Sequence, residues 1–443
     1  MRARLSVLYF LQFGVWGCYL SCFGQLLGAG GLGAEIQWFY AAVGIVSLIT
    51  PALMGHFADR FIASRNLLAA CHLAASAAMF GAWVYASSHP KMEFAPFFLI
   101  YLGFLAFYMP TLALANTTTF ALLKSRGQMP VDHFPVIRIW GTLGFVAAMW
   151  FVNSAYYFNH DFGFTLSDSH PASGFRFQYT SMQLLASSIA GLLTSLYTLS
   201  LPSMTVPAKN GASSLSDIFG LKAFRLFKTA QVRTFLIFAI FTGVCLQISN
   251  GYAIPFINHF MGLEEYAGSP AAGNATLLFS LSQISEAACI LLVGVAMKKI
   301  GFKSVIFLSL IAWSLRFLLL GIGNPGSGLW LFILSMLVYG IAFNFFNIAG
   351  HIYMEQMSDK ETKGFGQGLL MMMTNGIGAT CGMIAAGAVV NRFCHWEMVP
   401  ARSGEGMMRL FMGDWSEPWL IFSCYALATG ILFRLLFRYR KNA

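Results

Sequence analysis

Charge is what this chain has least of. Only 10% of its 443 residues are Asp, Glu, Lys or Arg, and the acids number 17. An ordinary soluble domain carries about 25% charged residues. So few charges cannot cover a water-exposed surface of this size, which argues against a soluble enzyme, a disordered chain and a nucleic-acid binder. Also missing is the alternation over about 10 residues that a membrane β-barrel needs; the apolar stretches run about 20 residues or more. With 57% hydrophobic residues and a mean hydropathy of +0.67, what is left is a polytopic helical membrane protein.

Reactive-site signatures are missing too. The 8 cysteines (Cys18, Cys22, Cys71, Cys245, Cys289, Cys381, Cys394 and Cys424) include no CxxC pair. They read as small hydrophobes, with neither a disulfide framework nor a zinc site. The 9 histidines form no HExxH motif, and there is no P-loop and no GxSxG. No metal, no cofactor and no enzymatic activity are expected. Gly28-Ala-Gly-Gly-Leu-Gly33 matches a dinucleotide fingerprint, but it ends an apolar run without the strand-turn-helix context and reads as a turn. The net charge of +10 fits Lys- and Arg-rich cytoplasmic loops better than nucleic-acid binding.

About twelve apolar spans lie near 5–28, 37–57, 66–88, 94–122, 136–157, 178–201, 230–260, 274–297, 303–323, 327–352, 364–391 and 417–438. In lipid each must be helical, because no water can satisfy a free backbone group there. The first run is too long for a signal-peptide core and lacks a clear cleavage site, so it counts as a span. With the N-terminus in the cytoplasm, 20 Lys and Arg fall inside, and outside lie only Lys91, Arg176, Arg392, Arg402 and Arg409. That bias sets the orientation, and an even number of spans puts both termini in the cytoplasm. The longest cytoplasmic connection, 202–229, separates a six-helix bundle over 1–201 from a second over 230–443. Within it, Leu215 to Lys228 reads as a loosely amphipathic helix, with Lys222, Arg225 and Lys228 opposite Phe219, Ala223 and Phe227. It is expected to lie on the inner membrane surface, a plain linker being the alternative.

Ionisable groups at membrane depth default to function. Arg138, Glu286 and Arg316 qualify, and Glu286 is the only acid clearly near a span's centre. It is suited to carry a proton; the structural alternative is an ion pair with Arg138 or Arg316. Carboxamides add a second signal, in pairs at i, i+3: Gln247 with Asn250, Gln283 with Glu286, Asn344 with Asn347. Each pair shares a helical face. Tyr339 and Phe343 are i, i+4, and Arg138, Thr142 and Phe145 share a face of the fifth span. Amides beside aromatic rings suit a neutral substrate such as a nucleoside, whereas a phosphate would demand several Arg or Lys. The competing reading is that amides join helices and rings face lipid. Gln12, Trp16, Asn116, Thr374 and Asn375 are further, weaker candidates, and His133 reads as interfacial. Gly378 and Gly382 have the spacing of a helix-packing pair.

Two family resemblances follow. Gly55-His-Phe-Ala-Asp59-Arg60 after span two, echoed by Gly294-Val-Ala-Met-Lys-Lys299 after span eight, resembles the cytoplasmic loop signature of the major facilitator superfamily. That resemblance assigns Gly55, Asp59 and Arg60 to a gating loop and implies twelve helices in two six-helix halves. Longer stretches resemble the bacterial nucleoside:proton symporters of that superfamily. They include Phe10 to Gly17, Tyr108 to Leu112, Ile137 to Phe145, Leu246 to Asn250, Ser282 to Glu286, Ala312 to Arg316, Tyr339 to Asn347, Met372 to Gly376 and Trp419 to Phe422. The resemblance implies alternating access in the inner membrane, as a monomer, with a nucleoside such as uridine or adenosine and a proton as co-substrate. It implies that Arg138, Thr142, Phe145, Gln247, Asn250, Gln283, Glu286, Tyr339 and Phe343 line the site, with Glu286 among the groups that hold substrate; that Glu286 also carries the proton is the reading its membrane depth gives. The family usually has an acid where this chain has Asn344, and an amide takes up no proton at physiological pH. An uncoupled facilitator, or a transporter of another polar solute such as a sugar, therefore stays open.

Overall fold

One helix is built inside out relative to a helix of a soluble bundle. On helix α7 (Met182–Ser200), Ile189, Leu192, Leu193, Leu196 and Leu199 are exposed, while Gln183, Ser187, Ser188, Thr194, Ser195 and Thr198 are buried. An apolar outer face with hydroxyls turned inward is what hydrocarbon surroundings select. The structure, a computed structural model, describes residues 1–167, 169–202, 227, 229–266, 269–357, 368–400 and 407–438, without the side chains at 51–52, 55–60, 130–132 and 135. Among these residues 11 helical segments are long and apolar enough to cross a membrane.

The helices are α1 (Arg2–Gly17), α2 (Phe23–Ala29), α3 (Ile36–Arg60), α4 (Ser64–Ser88), α5 (Phe94–Lys124), α6 (Pro130–Ser154) and α7, then α8 (Ala230–His259), α9 (Ala275–Ile300), α10 (Phe302–Ile322), α11 (Leu329–Met357), α12 (Ala379–Phe393) and α13 (Ser416–Leu436). A π-helical turn, Met372–Gly378, precedes α12. The first expected span is interrupted. After Gly17 the bonds tighten to i→i+3, with Tyr19 N–H donating to Trp16 and Cys22 N–H to Tyr19, before α2 resumes. Neither α1 nor α2 is long enough to span alone. The glycine-rich stretch that follows is a turn, with Gly31 at φ +91°, where only glycine is unstrained. The amphipathic segment expected over 215–228 lies, apart from Phe227, outside the described residues.

Two compact units emerge. One holds the described residues within Met1–Glu35, Ile45–Phe219 and Ala401–Met408; the other holds those within Ile36–Gly44, Gly220–Pro400 and Arg409–Ala443. In the first, α1 packs on α6, and α4 on α5 and α7. Glycine permits the α1–α6 approach: a Cβ on Gly144 would sit 2.0 Å from the Phe10 carbonyl oxygen, and one on Gly17 2.3 Å from that of Phe145. Ser76 and Ser188 tie α4 to α7 reciprocally, each hydroxyl donating to the other's carbonyl (2.6 and 2.9 Å). In the second unit, α8 packs on the π-helical turn and α12, α11 on α9 and α10, and α13 on α10. Its core is aromatic, with Phe235, Phe302, Tyr353 and Phe437 buried together. Gly243, Gly378 and Gly382 seat α8 against the turn and α12, as the small-residue spacing at 378 and 382 predicts. Ser314 and Ser423 repeat the reciprocal serine bond between α10 and α13, both at 2.9 Å.

Three expectations need correction. Span five stops at Ser154, and Ala155–Phe158 pairs antiparallel with Asp161–Phe164. Asn159 and His160, at φ +50° and +66°, make the two-residue turn. A second hairpin joins Cys394–Pro400 to Met407–Gly413, so the all-α description holds for the membrane part only. Finally, Gly55–Arg60 and Gly294–Lys299 are not loops. They are the last turns of α3 and α9, and the second bend comes at Gly301, φ +77°.

Candidate functional site

In the first unit, Arg138, Thr142 and Phe145 stand on α6, Arg138 and Thr142 half-buried and Phe145 buried. The Arg138 guanidinium lies 4.0 Å over the centre of the Phe13 ring, a cation–π contact that leaves its planar face on α1. Behind it runs a buried polar chain. His72 Nε2 meets Gln12 Oε1 at 2.6 Å, the Gln12 amide donates to the Thr111 hydroxyl at 2.7 Å, and Thr111 donates to the Tyr108 carbonyl at 2.5 Å. Tyr108 in turn donates its hydroxyl to the Gln12 carbonyl at 2.8 Å. Since the Gln12 amide nitrogen faces Thr111, its oxygen accepts from a His72 Nε2–H, which fixes that tautomer. Gln12 is thereby a clamp between α1, α4 and α5. Asn116 accepts the Tyr9 hydroxyl, and Trp16 packs on Tyr108 with ring centres 5.5 Å apart. His133 accepts from Arg2 at 2.9 Å, consistent with an interfacial position. Gly55, Asp59 and Arg60 close α3, and their side chains lie outside the described ones.

In the second unit, α11 supplies an aromatic stack. Tyr339 and Phe343 are nearly parallel, 4° apart in plane and 5.6 Å between centres, and Trp313 meets Tyr339 edge-on at 5.7 Å. Gln283 and Glu286, i and i+3 on α9, lie in the neighbourhood of the Tyr339 side chain. Arg316 completes the box. Its guanidinium is fully buried, 4.7 Å over the Tyr339 ring. It donates to the Ser249 hydroxyl at 2.9 and 3.2 Å, to the Ser282 hydroxyl at 3.2 Å and to the Ser335 carbonyl at 2.8 Å. Those neutral oxygens, rather than Glu286, receive its donors; the ion pair of Glu286 with Arg316 considered from sequence is not how this cation is held.

A recess opens beside this box. Trp313, Phe343 and Phe346 supply rings to it; Asn347, Thr374 and Asn375 supply polar groups; Thr242, Gly243 and Leu246 of α8 complete it. Gln247 and Asn250 lie one turn beyond Gly243 and Leu246 on α8, Gln247 buried and Asn250 half-buried. The two asparagines of the 344/347 pair part company. Asn344 is buried and donates to the Glu286 backbone carbonyl at 2.6 Å, whereas Asn347 lines the recess. Asn344 thus ties α11 to α9, where Gly340 already allows close approach (a Cβ there would lie 2.4 Å from the Ser285 carbonyl oxygen). Sequence reasoning names none of Trp313, Thr242 and Leu246 as a candidate site residue, and Phe346 enters it only as an aromatic neighbour of Phe343. A signal existed for two of them: Thr242, Leu246 and Asn250 form an i, i+4, i+8 stripe leading to a flagged carboxamide.

These features meet known proteins over the whole chain. The sequence model described as the nucleoside H+ symporter matches residues 1–442. The xanthosine permease of Escherichia coli (strain K12) is 35% identical over 444 residues, 99% of this chain and 96% of its own length. The nucleoside permease NupG of the same organism is 34% identical over 443 residues, again 99% and 96%. A crystal structure of the nucleoside transporter NupG superposes with a TM-score of 0.82 at 34% identity, covering 99% of each chain. The fold is accordingly of the major facilitator type, and the chain belongs to the nucleoside H+ symporter family of membrane transporters.

Proposed function

We propose that this chain imports nucleosides such as uridine or adenosine across the inner membrane by alternating access, with a proton moving in alongside. The observation that carries the reading is the lining of the recess of the second unit, where the rings of Trp313, Phe343 and Phe346 stand with the carboxamides of Asn347 and Asn375, next to the Tyr339–Phe343 stack. Rings take a flat base by stacking, amides take its edge or the ribose hydroxyls, and a lone acid among them can exchange a proton. Arg138, Thr142, Phe145, Gln247, Asn250, Gln283, Glu286, Tyr339, Phe343 and Asn347 are the side chains we assign to substrate, with Glu286 also carrying the proton. Asn344 we assign to holding α9 rather than to substrate. Gly55, Asp59 and Arg60 are assigned to gating.

The architecture we infer is twelve spans in two six-helix halves, 1–201 and 230–443, joined by the 202–229 connection, with both termini cytoplasmic and the monomer as the working unit. The interrupted α1–α2 pair, taken as one span with the 11 uninterrupted segments, supports the count. The repeated serine bonds, Ser76 with Ser188 and Ser314 with Ser423, support the halves: they fall between the third and sixth helices of each.

A second reading is uncoupled facilitation, favoured by Asn344. Its amide donates to the Glu286 carbonyl permanently, where an acid would do so only while protonated. Labelled uridine uptake into proteoliposomes, with and without an inward proton gradient, separates the two. Gradient-driven accumulation supports symport, and uptake that only equilibrates supports the facilitator. Absence of saturable uptake of uridine, adenosine and xanthosine would overturn the nucleoside reading.

A further inference from the structure

The recess carries more hydrogen-bonding capacity than its own helices use. Thr242 and Thr374 line it, but their hydroxyls donate back to the Phe238 and Leu370 carbonyls, at 2.9 and 3.0 Å. Asn347 and Asn375 differ. Both are half-buried, and among the described residues no protein group bonds either side-chain amide. They come from separate elements, α11 and the π-helical turn Met372–Gly378. A π-helix places more residues per turn than an α-helix and is a common device at functional sites. Here it lets the neighbours Thr374 and Asn375 reach the same recess. Gly243 holds that turn close to α8, since a Cβ there would lie 2.1 Å from the Thr374 carbonyl oxygen.

We propose that Asn347 and Asn375 are a specificity-determining pair that reads the hydrogen-bonding edge of the nucleobase beside Trp313, Phe343 and Phe346. This rests on the nucleoside reading above. Each carboxamide offers one acceptor oxygen and two N–H donors. Ribose is common to all nucleosides, but the base edges differ: uracil presents an imide N–H between carbonyls, adenine an amine beside a ring nitrogen. An amide facing the wrong edge goes without its partner from the base, and that mismatch discriminates more strongly than a lost methylene does. Deleting either amide therefore changes the ranking of bases, whereas deleting a ribose contact weakens all nucleosides together.

The test uses purified wild type, Asn375→Ser and Asn347→Ala in proteoliposomes, with unlabelled nucleosides competing against labelled uridine. The ratio of half-inhibiting concentrations for adenosine and uridine is expected to shift by about tenfold or more in each variant. The ratio for 2′-deoxyuridine and uridine, which differ only in the sugar, is expected to stay within about twofold, since an amide pair that reads the base does not read the sugar. Base ratios unmoved, or all nucleosides weakened by one common factor, would overturn the proposal while leaving nucleoside transport standing. A wild type that takes up no nucleoside would overturn both. Thermal stabilisation of the detergent-purified variants by each nucleoside gives the same ranking without transport, and Asn375→Gln, which keeps the amide but moves it, supplies a second variant if Asn375→Ser folds poorly.

Discussion

Replacing Gly243 by alanine tests the link between helix packing and the recess. The added Cβ would lie 2.1 Å from the Thr374 carbonyl oxygen, 2.8 Å from its carbonyl carbon and 2.9 Å from its Cα. All three are backbone atoms, so no side chain can swing away. Reaching an ordinary contact requires the π-helical turn to retreat by about 1 Å, an overpacking that costs about 1–3 kcal/mol. In a unit of roughly 200 residues that lowers the melting temperature by about 2–12 °C. The displaced segment carries Thr374 and Asn375 into the recess, and about 1 Å of misplacement is enough to cost tenfold or more where groups must meet a substrate. Gly294→Ala is the control. Gly294 lies within α9 with nothing within 4 Å of a built Cβ, so alanine should stabilise the helix by about 0.5–1 kcal/mol and leave uptake intact. The measurement is melting of the detergent-purified protein together with initial uridine uptake in proteoliposomes. If Gly243→Ala melts and transports as wild type does, the coupling argued here between α8 packing and the site is wrong.

The other predictions concern the polar groups of the second unit. Uptake should fall less in Glu286→Asp than in Glu286→Gln if Glu286 carries the proton, and undiminished uptake in both variants would refute that role. Asn344→Asp puts a group that donates only while protonated opposite the Glu286 carbonyl; its melting temperature should be higher at pH 5 than at pH 8 by more than the wild type's, and equal pH dependence would count against the 344–286 bond. Ser249→Ala removes the acceptor of two Arg316 N–H groups, Ser282→Ala the acceptor of one. Each lost bond to a buried charge costs about 1.5–3 kcal/mol, so Ser249→Ala should melt below Ser282→Ala, and the reverse order would show that Arg316 is held otherwise.

The membrane class and eleven of the expected spans are legible from residue type alone, because hydrocarbon permits only helices and punishes charge. What hydropathy does not encode is where backbone geometry changes inside an apolar run. The break after Gly17 leaves the residues apolar on both sides, and the π-helical turn at Met372 is equally silent. Both occur where glycine lets another helix's backbone press close: Gly17 against Phe145, Gly243 against Thr374. The hairpin at 155–164, by contrast, has a sequence signal. Its strands carry Tyr156, Tyr157, Phe158, Phe162 and Phe164, which extend the apolar run, yet Asn159-His160-Asp161 is a turn signal.

The site was legible as a set of candidates and not as a set of roles, and the reason is physical. A buried amide looks the same in sequence whether it joins helices or waits for a ligand; only its partners distinguish the two. Gln12 bonds His72 and Thr111, Asn116 bonds Tyr9, Asn344 bonds the Glu286 carbonyl, and the Arg316 cation bonds two serines and a carbonyl. Except for Asn116, which is exposed and only accepts, these groups donate within the fold, so a substrate would have to break existing bonds to use them. Asn347 and Asn375, which line a recess with no such bonds among the described residues, have amides that a substrate can meet without breaking a bond. In a membrane, where water cannot fill an unmet bond cheaply, that difference separates packing from recognition. By the same reasoning the i, i+3 spacing of Asn344 and Asn347 carries no common role: one helical face can hold both a clamp and a contact, because the neighbour opposite each residue decides which it becomes.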